Sequence, residues 1–247
     1  MFTKTSYGIT VAKRRELSRS NGVFGYLLQE WLLFLTLTIL IFKSIILMGF
    51  VYSSDQSVIN MALGLKNIKY MSICIAPLAV LVSLSFLPKN KARLWFLLIL
   101  NFLCSLLFFL DALYFRAGDN FLSFQLLGQS GSFGNMQGSI LTMFRLCDLV
   151  FFFDIPVIAV LLIATRGLYY SSPLFTELKP RIISFFTVFV LAVVFMIFTH
   201  ISICAGSNDK NAYIFYAYSN PKQTICNNAP VAYHFFDFYV FLSDLKP

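Results

Sequence analysis

Charge is what this sequence has least of. Asp, Glu, Lys and Arg together make up 12% of 247 residues, about half the share found in soluble domains, and that shortage excludes a water-facing surface around a globular fold of this length. Histidine is nearly absent. His200 and His234 lack the set of Cys, His or carboxylate residues in ligand order that zinc requires, which excludes a zinc site, and His200 reads as a helix-packing or interfacial residue near the end of an apolar run. There is no P-loop, nucleophile elbow or dinucleotide fingerprint, no internal repeat, no low-complexity tract and no lipidation motif. A net charge of +8 raises the question of nucleic acid. The basic residues border apolar runs instead of sharing one surface, and no base-stacking motif accompanies them, so that class is excluded too.

What is present is apolar. Hydrophobic residues make up 58% of the chain, Phe alone occurs 29 times, and mean hydropathy is +0.76. The composition specifies an all-α integral membrane protein in which helices of about twenty residues use up the length. Five runs qualify as transmembrane helices: Tyr26 to Tyr52, Tyr70 to Leu87, Leu94 to Phe115, Leu149 to Thr165 and Ile182 to Cys204. Pro88, Pro173 and Pro180 fall in connections, whereas Pro77 and Pro156 fall inside runs and predict kinks there.

Alternate connections differ in basic residues. Lys4, Lys13, Arg14, Arg15, Arg19, Lys89, Lys91, Arg93, Arg166, Lys179 and Arg181 collect on one side. Lys66, Lys69, Arg116, Arg145, Lys210, Lys222 and Lys246 are spread over longer segments on the other. The positive-inside rule then gives a multi-pass plasma-membrane protein with a cytoplasmic N-terminus and an extracellular C-terminus. Residues 1–25 form a basic cytoplasmic tail, 26–204 the membrane domain with an outer loop at 116–148, and 205–247 an extracellular linker region. The first apolar run is too long for a cleavable signal and reads as an uncleaved anchor.

Cys74, Cys104 and Cys147 lie in or beside apolar runs, where a small polarizable residue packs well. Cys204 and Cys226 fall on the outer side, where a disulfide between them is chemically permitted; spacing alone does not say whether they meet.

Ionisable residues at bilayer depth are costly unless paired or hydrated. Counted at 1.5 Å per residue, Lys43 and Asp111 come to similar depth in the outer half of the bilayer. Asp154, Asp148 and Arg116 lie near that level, so that Lys43, Asp111, Asp148 and Asp154 form one intramembrane polar cluster. Two readings stand open. Lys43 and Asp111 neutralise each other, or Lys43 snorkels to the headgroups; alternatively Arg116, Arg145 and Lys43, helped by Asp119 and Gln125, receive an anionic lipid headgroup. The outer loop fits a lipid shelf: Phe121, Leu122, Phe124, Leu126 and Leu127 lie in the interface, a glycine-rich turn runs from Gly128 to Gly138, and two short interfacial helices flank it.

The order YFR, DNFLSFQLLGQ, a glycine-rich turn, then LCDLVFFFDIP (Leu146 to Pro156), with IFKSI around Lys43 and a tail AYHFFDFYVFLSDLKP, closely resembles the membrane region of the lipoteichoic acid synthase family, the polyglycerolphosphate polymerases of Gram-positive bacteria. Asp111 departs from the resemblance, which leaves a Lys43–Asp111 pair without family support. The resemblance implies an extracellular sulfatase-like α/β domain beyond the membrane region, with a threonine nucleophile and a divalent metal, typically manganese, that moves glycerol phosphate from phosphatidylglycerol onto a growing chain. None of those residues has a counterpart here. The expectation is a membrane-anchoring, lipid-positioning module with no cofactor and no catalysis of its own, working with a sulfatase-like domain in cis or in trans. A stand-alone structural partner and a lipid transporter in envelope-polymer assembly are the alternatives.

Overall fold

The computed structural model describes residues 30–52, 68–124, 142–164, 177–206 and 221–244. Among them the architecture is entirely helical: α1 (Trp31–Tyr52), α2 (Ile68–Ser83) extended by a 3₁₀ turn (Leu84–Phe86), α3 (Asn90–Gly118), a 3₁₀ segment (Leu146–Phe151), α4 (Asp154–Ala164), α5 (Leu178–Gly206) and α6 (Pro221–Asp244). Four stretches are long and apolar enough to cross a membrane: Trp31–Val51, Ala92–Gly118, Leu146–Ile163 and Leu178–Thr199. The run expected as a fifth span forms the shorter apolar helix Cys74–Phe86.

α3 is the central post. It starts just after Pro88 and Lys89, where the backbone is still extended, and ends where Asp119 enters the left-handed region at φ 53°. The Asp119 amide donates to the Phe115 carbonyl at 2.8 Å and closes the last turn. α1 and α4 pack along α3, α5 packs on α2, and α6 lies against α2 and α1. The shared core is made by Leu40, Leu47 and Phe50 of α1, Leu78 of α2, Leu97 and Phe108 of α3, and Phe151 of the 3₁₀ segment. Phe151 fits between Phe50 and Phe108, with ring centroids 6.3 and 6.4 Å away.

Three local expectations change. Pro156 does not kink a span. The α-helix begins only at Asp154, after the 3₁₀ segment and a two-residue turn, which puts Pro156 in a first turn where its missing amide costs nothing. Phe121 is not at the interface but fully buried, stacked 5.0 Å from Phe115 and 5.8 Å from Tyr233. The segment read as an outer linker is not free either: α6 folds back onto the bundle and buries Ile225, Val231 and Tyr233. Inside α6 the chain turns at Ala229, φ 64° and ψ 161°, immediately before Pro230. Gln125, the glycine-rich turn and most of the expected interfacial helices lie outside the described residues.

Candidate functional site

The buried charges sort into separate pairs rather than one cluster. In the middle of α1, the Lys43 ammonium is almost fully enclosed. It makes an ion pair with Asp154 at 2.6 Å and donates to Asn101 Oδ1 at 3.0 Å and to Ser105 Oγ at 2.6 Å. Three partners match its three protons. The set is closed further: Asn101 donates from Nδ2 to Asp154 Oδ2 at 2.6 Å, and Ser105 donates to the Asn101 carbonyl at 2.6 Å. Asn101 and Ser105 are four residues apart on α3 and so share one face, while Asp154 opens α4, where a carboxylate also meets the positive end of the helix. Three helices are thereby pinned at one point.

Asp111 does not take part. It lies six residues beyond Ser105, roughly 9 Å further along the helix, and its carboxylate meets His234 Nε2 at 2.7 Å and the Leu122 amide at 3.2 Å. The second clasp between α6 and the turn after α3 is Asp237, which accepts from Ser123 Oγ at 2.7 Å and from the Phe124 amide at 2.6 Å. His234 and Asp237 are three residues apart and so project from the same face of α6.

Arg116, in the last turn of α3, pairs with the buried Asp148 of the 3₁₀ segment through both terminal nitrogens at 2.6 and 2.5 Å. It also donates to the Met143 carbonyl at 3.1 Å and lies 4.9 Å over the Phe50 ring. Asp148 accepts a further bond from the Arg145 amide at 2.9 Å. The Arg145 guanidinium differs in having no ion pair among the described residues, and its Nη1, like the Arg116 Nε, is buried without a hydrogen-bond partner. At the opposite end of the bundle, Arg93 clamps Glu30 through both nitrogens and lies 4.8 Å over Phe86, and Arg181 donates to the Leu87 carbonyl at 2.8 Å.

Of the residues singled out for a lipid headgroup, Lys43 is therefore saturated by protein partners, Arg116 commits both terminal nitrogens to them, Arg145 keeps a spare donor, Asp119 is an exposed helix cap, and Gln125 lies outside the described residues. The side chains of Cys204 and Cys226 are likewise outside them, and with them the disulfide. Asn101, Ser105 and Asp237 were not singled out, and His234 was weighed only as a zinc ligand and set aside. The signal for the first was a lone amide deep in an apolar run, a group that must find a partner there.

The sequence matches the lipoteichoic acid synthase N-terminal domain over residues 14–246. The lipoteichoic acid synthase of Staphylococcus saprophyticus is 29% identical over 100 residues, covering 39% of this chain and 16% of that protein. That of Staphylococcus aureus (strain USA300) is 30% identical over 109 residues, covering 42% of this chain and 17% of that protein. The matched stretch is thus a small share of the relatives' length, and no solved structure matches. With an apolar helical bundle around buried ion pairs and a family match over nearly its whole length, this multi-pass membrane chain belongs to the lipoteichoic acid synthase N-terminal domain family.

Proposed function

We propose that the chain anchors a sulfatase-like phosphoglycerol transferase domain, in cis or in trans, and holds anionic phospholipid at its outer surface for that domain. In this reading α2 with its 3₁₀ turn is a fifth crossing: sixteen α and three 3₁₀ residues reach about 30 Å, the thickness of the hydrocarbon core. The N-terminus is then cytoplasmic and the C-terminus extracellular, as the basic residues suggest. The observation that carries the proposal is the end of α3. Counted from Ala92, Arg116 is roughly 36 Å along the span, beyond the hydrocarbon and at headgroup depth, with a second arginine beside its partner Asp148.

The described residues bring no three His, Cys, Asp or Glu together, so they do not fit a divalent metal, and no chemical step is assigned to them. A manganese ion, in this proposal, belongs to the transferase domain. Transport is less well supported, because Lys43 and Asp154 satisfy each other instead of lining a route. The test is native mass spectrometry of the chain from nanodiscs with equal phosphatidylglycerol and phosphatidylcholine. Enrichment of phosphatidylglycerol is expected; retention in proportion to supply would refute lipid positioning.

A further inference from the structure

Two arginines meet at the Gly118 end of the bundle, Arg116 with a buried side chain and Arg145 half-buried. Arg116 gives both terminal nitrogens to Asp148, and its remaining Nε, although buried, has no partner. Arg145 gives only its backbone amide to the same carboxylate, leaving the guanidinium Nη1 buried and unpartnered. Among the described residues the Asp148 carboxylate thus serves both arginines, through the Arg116 guanidinium and the Arg145 backbone amide, and no ion pair is made by the Arg145 side chain. A guanidinium N–H without an acceptor is costly, and a bound anion is one of the partners that relieve such a group in a native fold. The residues on either side of Arg145, Phe144 and Leu146, are both exposed and apolar, as is Leu149 one turn on, so the surface beside this charge is one that lipid tails would cover.

We infer that Arg145 is the receiving cation for the phosphate of an anionic lipid headgroup, seated at the elbow where the 3₁₀ segment meets the end of α3. Arg116 and Asp148 are positioning residues in this site: their pair fixes the elbow, and the Asp148 contact to the Arg145 amide fixes the backbone from which the guanidinium extends. The lipid tails lie along Phe144, Leu146 and Leu149. This rests on the lipid-positioning reading and narrows it to one side chain. It also reverses the obvious mutational choice, because Arg116→Ala would strand a buried Asp148 and disturb the fold before it tested binding.

The experiment uses the whole chain in nanodiscs of equal phosphatidylglycerol and phosphatidylcholine, comparing wild type, Arg145→Gln and Arg145→Lys for lipid retained in native mass spectra. Arg145→Gln should lower phosphatidylglycerol enrichment about tenfold, the size of one lost charge-assisted contact. Arg145→Lys should fall between, since it keeps the charge but not the planar fork. Melting temperatures should stay at the wild-type value, because the guanidinium has no hydrogen-bonded partner among the described residues. Wild-type enrichment with no loss in Arg145→Gln would overturn this site and leave lipid positioning standing. No enrichment in wild type would remove both. Inorganic phosphate at low millimolar concentration should not displace the lipid; full displacement would assign the site to a soluble phosphate and overturn the lipid source.

Discussion

Replacing Lys43 by Met removes the ammonium that ties α1 to α3 and α4 while keeping most of the apolar stem. The Asp154 carboxylate then retains one side-chain partner, the Asn101 amide at 2.6 Å, and Asn101 Oδ1 and Ser105 Oγ lose their donor. Breaking a buried ion pair from one side costs about 3–5 kcal/mol, and at about 2–4 °C per kcal/mol for a chain of this size the melting temperature in mild detergent should drop by about 6–20 °C. The reasoning is sharpened by the double variant Lys43→Met, Asp154→Leu. Removing both charges abolishes the stranded carboxylate, so part of the loss should return. About 1–3 kcal/mol should remain missing because the buried Asn101 amide loses both Asp154 and Lys43. Thermal unfolding followed by far-ultraviolet circular dichroism reads all three proteins. A double variant that melts as low as the single one would refute the stranded-charge argument; a single variant that melts like wild type would refute the pair itself.

Asp111→Ala should leave His234 and the Leu122 amide without their acceptor and loosen α6, raising amide hydrogen exchange across residues 232–244 by about tenfold or more; unchanged protection would mean that α6 is held by packing alone. Ala229→Gly should stabilise the protein by about 1 kcal/mol, read as a melting shift of a few degrees upward, since glycine adopts the observed positive φ without a side-chain clash. Phe121→Ala should cost about 3–5 kcal/mol as a buried aromatic, whereas Leu146→Ala, at a mostly exposed position, should change the melting temperature by no more than a degree or two. Equal effects from these two would contradict the burial of Phe121.

The apolar runs were legible because a bilayer demands them: α1, α3 and α5 lie within a few residues of where hydropathy puts them. The pairing of charges was not legible. Depth counting puts Lys43 level with Asp111 only if both helices start at the same height. In the packed bundle Lys43 instead meets Asn101 and Ser105, and nothing local to Asp111 points to His234, 123 residues away. The break between the 3₁₀ segment and α4 was hidden for a related reason. Leu146 to Pro156 is apolar enough to read as continuous helix, and only the packing of Phe151 and the pairing of Asp148 show that it is not. α6 was read as a departing tail, whereas its docking depends on Asp237 meeting the Ser123 hydroxyl and the Phe124 amide, partners more than a hundred residues distant.

The helix that faces outward most has a different consequence. Little of the Leu178–Thr199 stretch of α5 is buried, and Leu191, Val194, Phe198 and Ile201 are exposed to what, in a bilayer, would be acyl chains. Lipid has no fixed shape to match, so such positions are selected for transfer free energy alone, and Leu, Ile, Val and Phe are near synonyms there. Arg181, which caps the Leu87 carbonyl, and the buried Ala192 and Thr199 have protein neighbours and no such freedom. Most of α5 is therefore free to drift in sequence at constant hydropathy, with its place in the bundle carried by a handful of residues on one stripe.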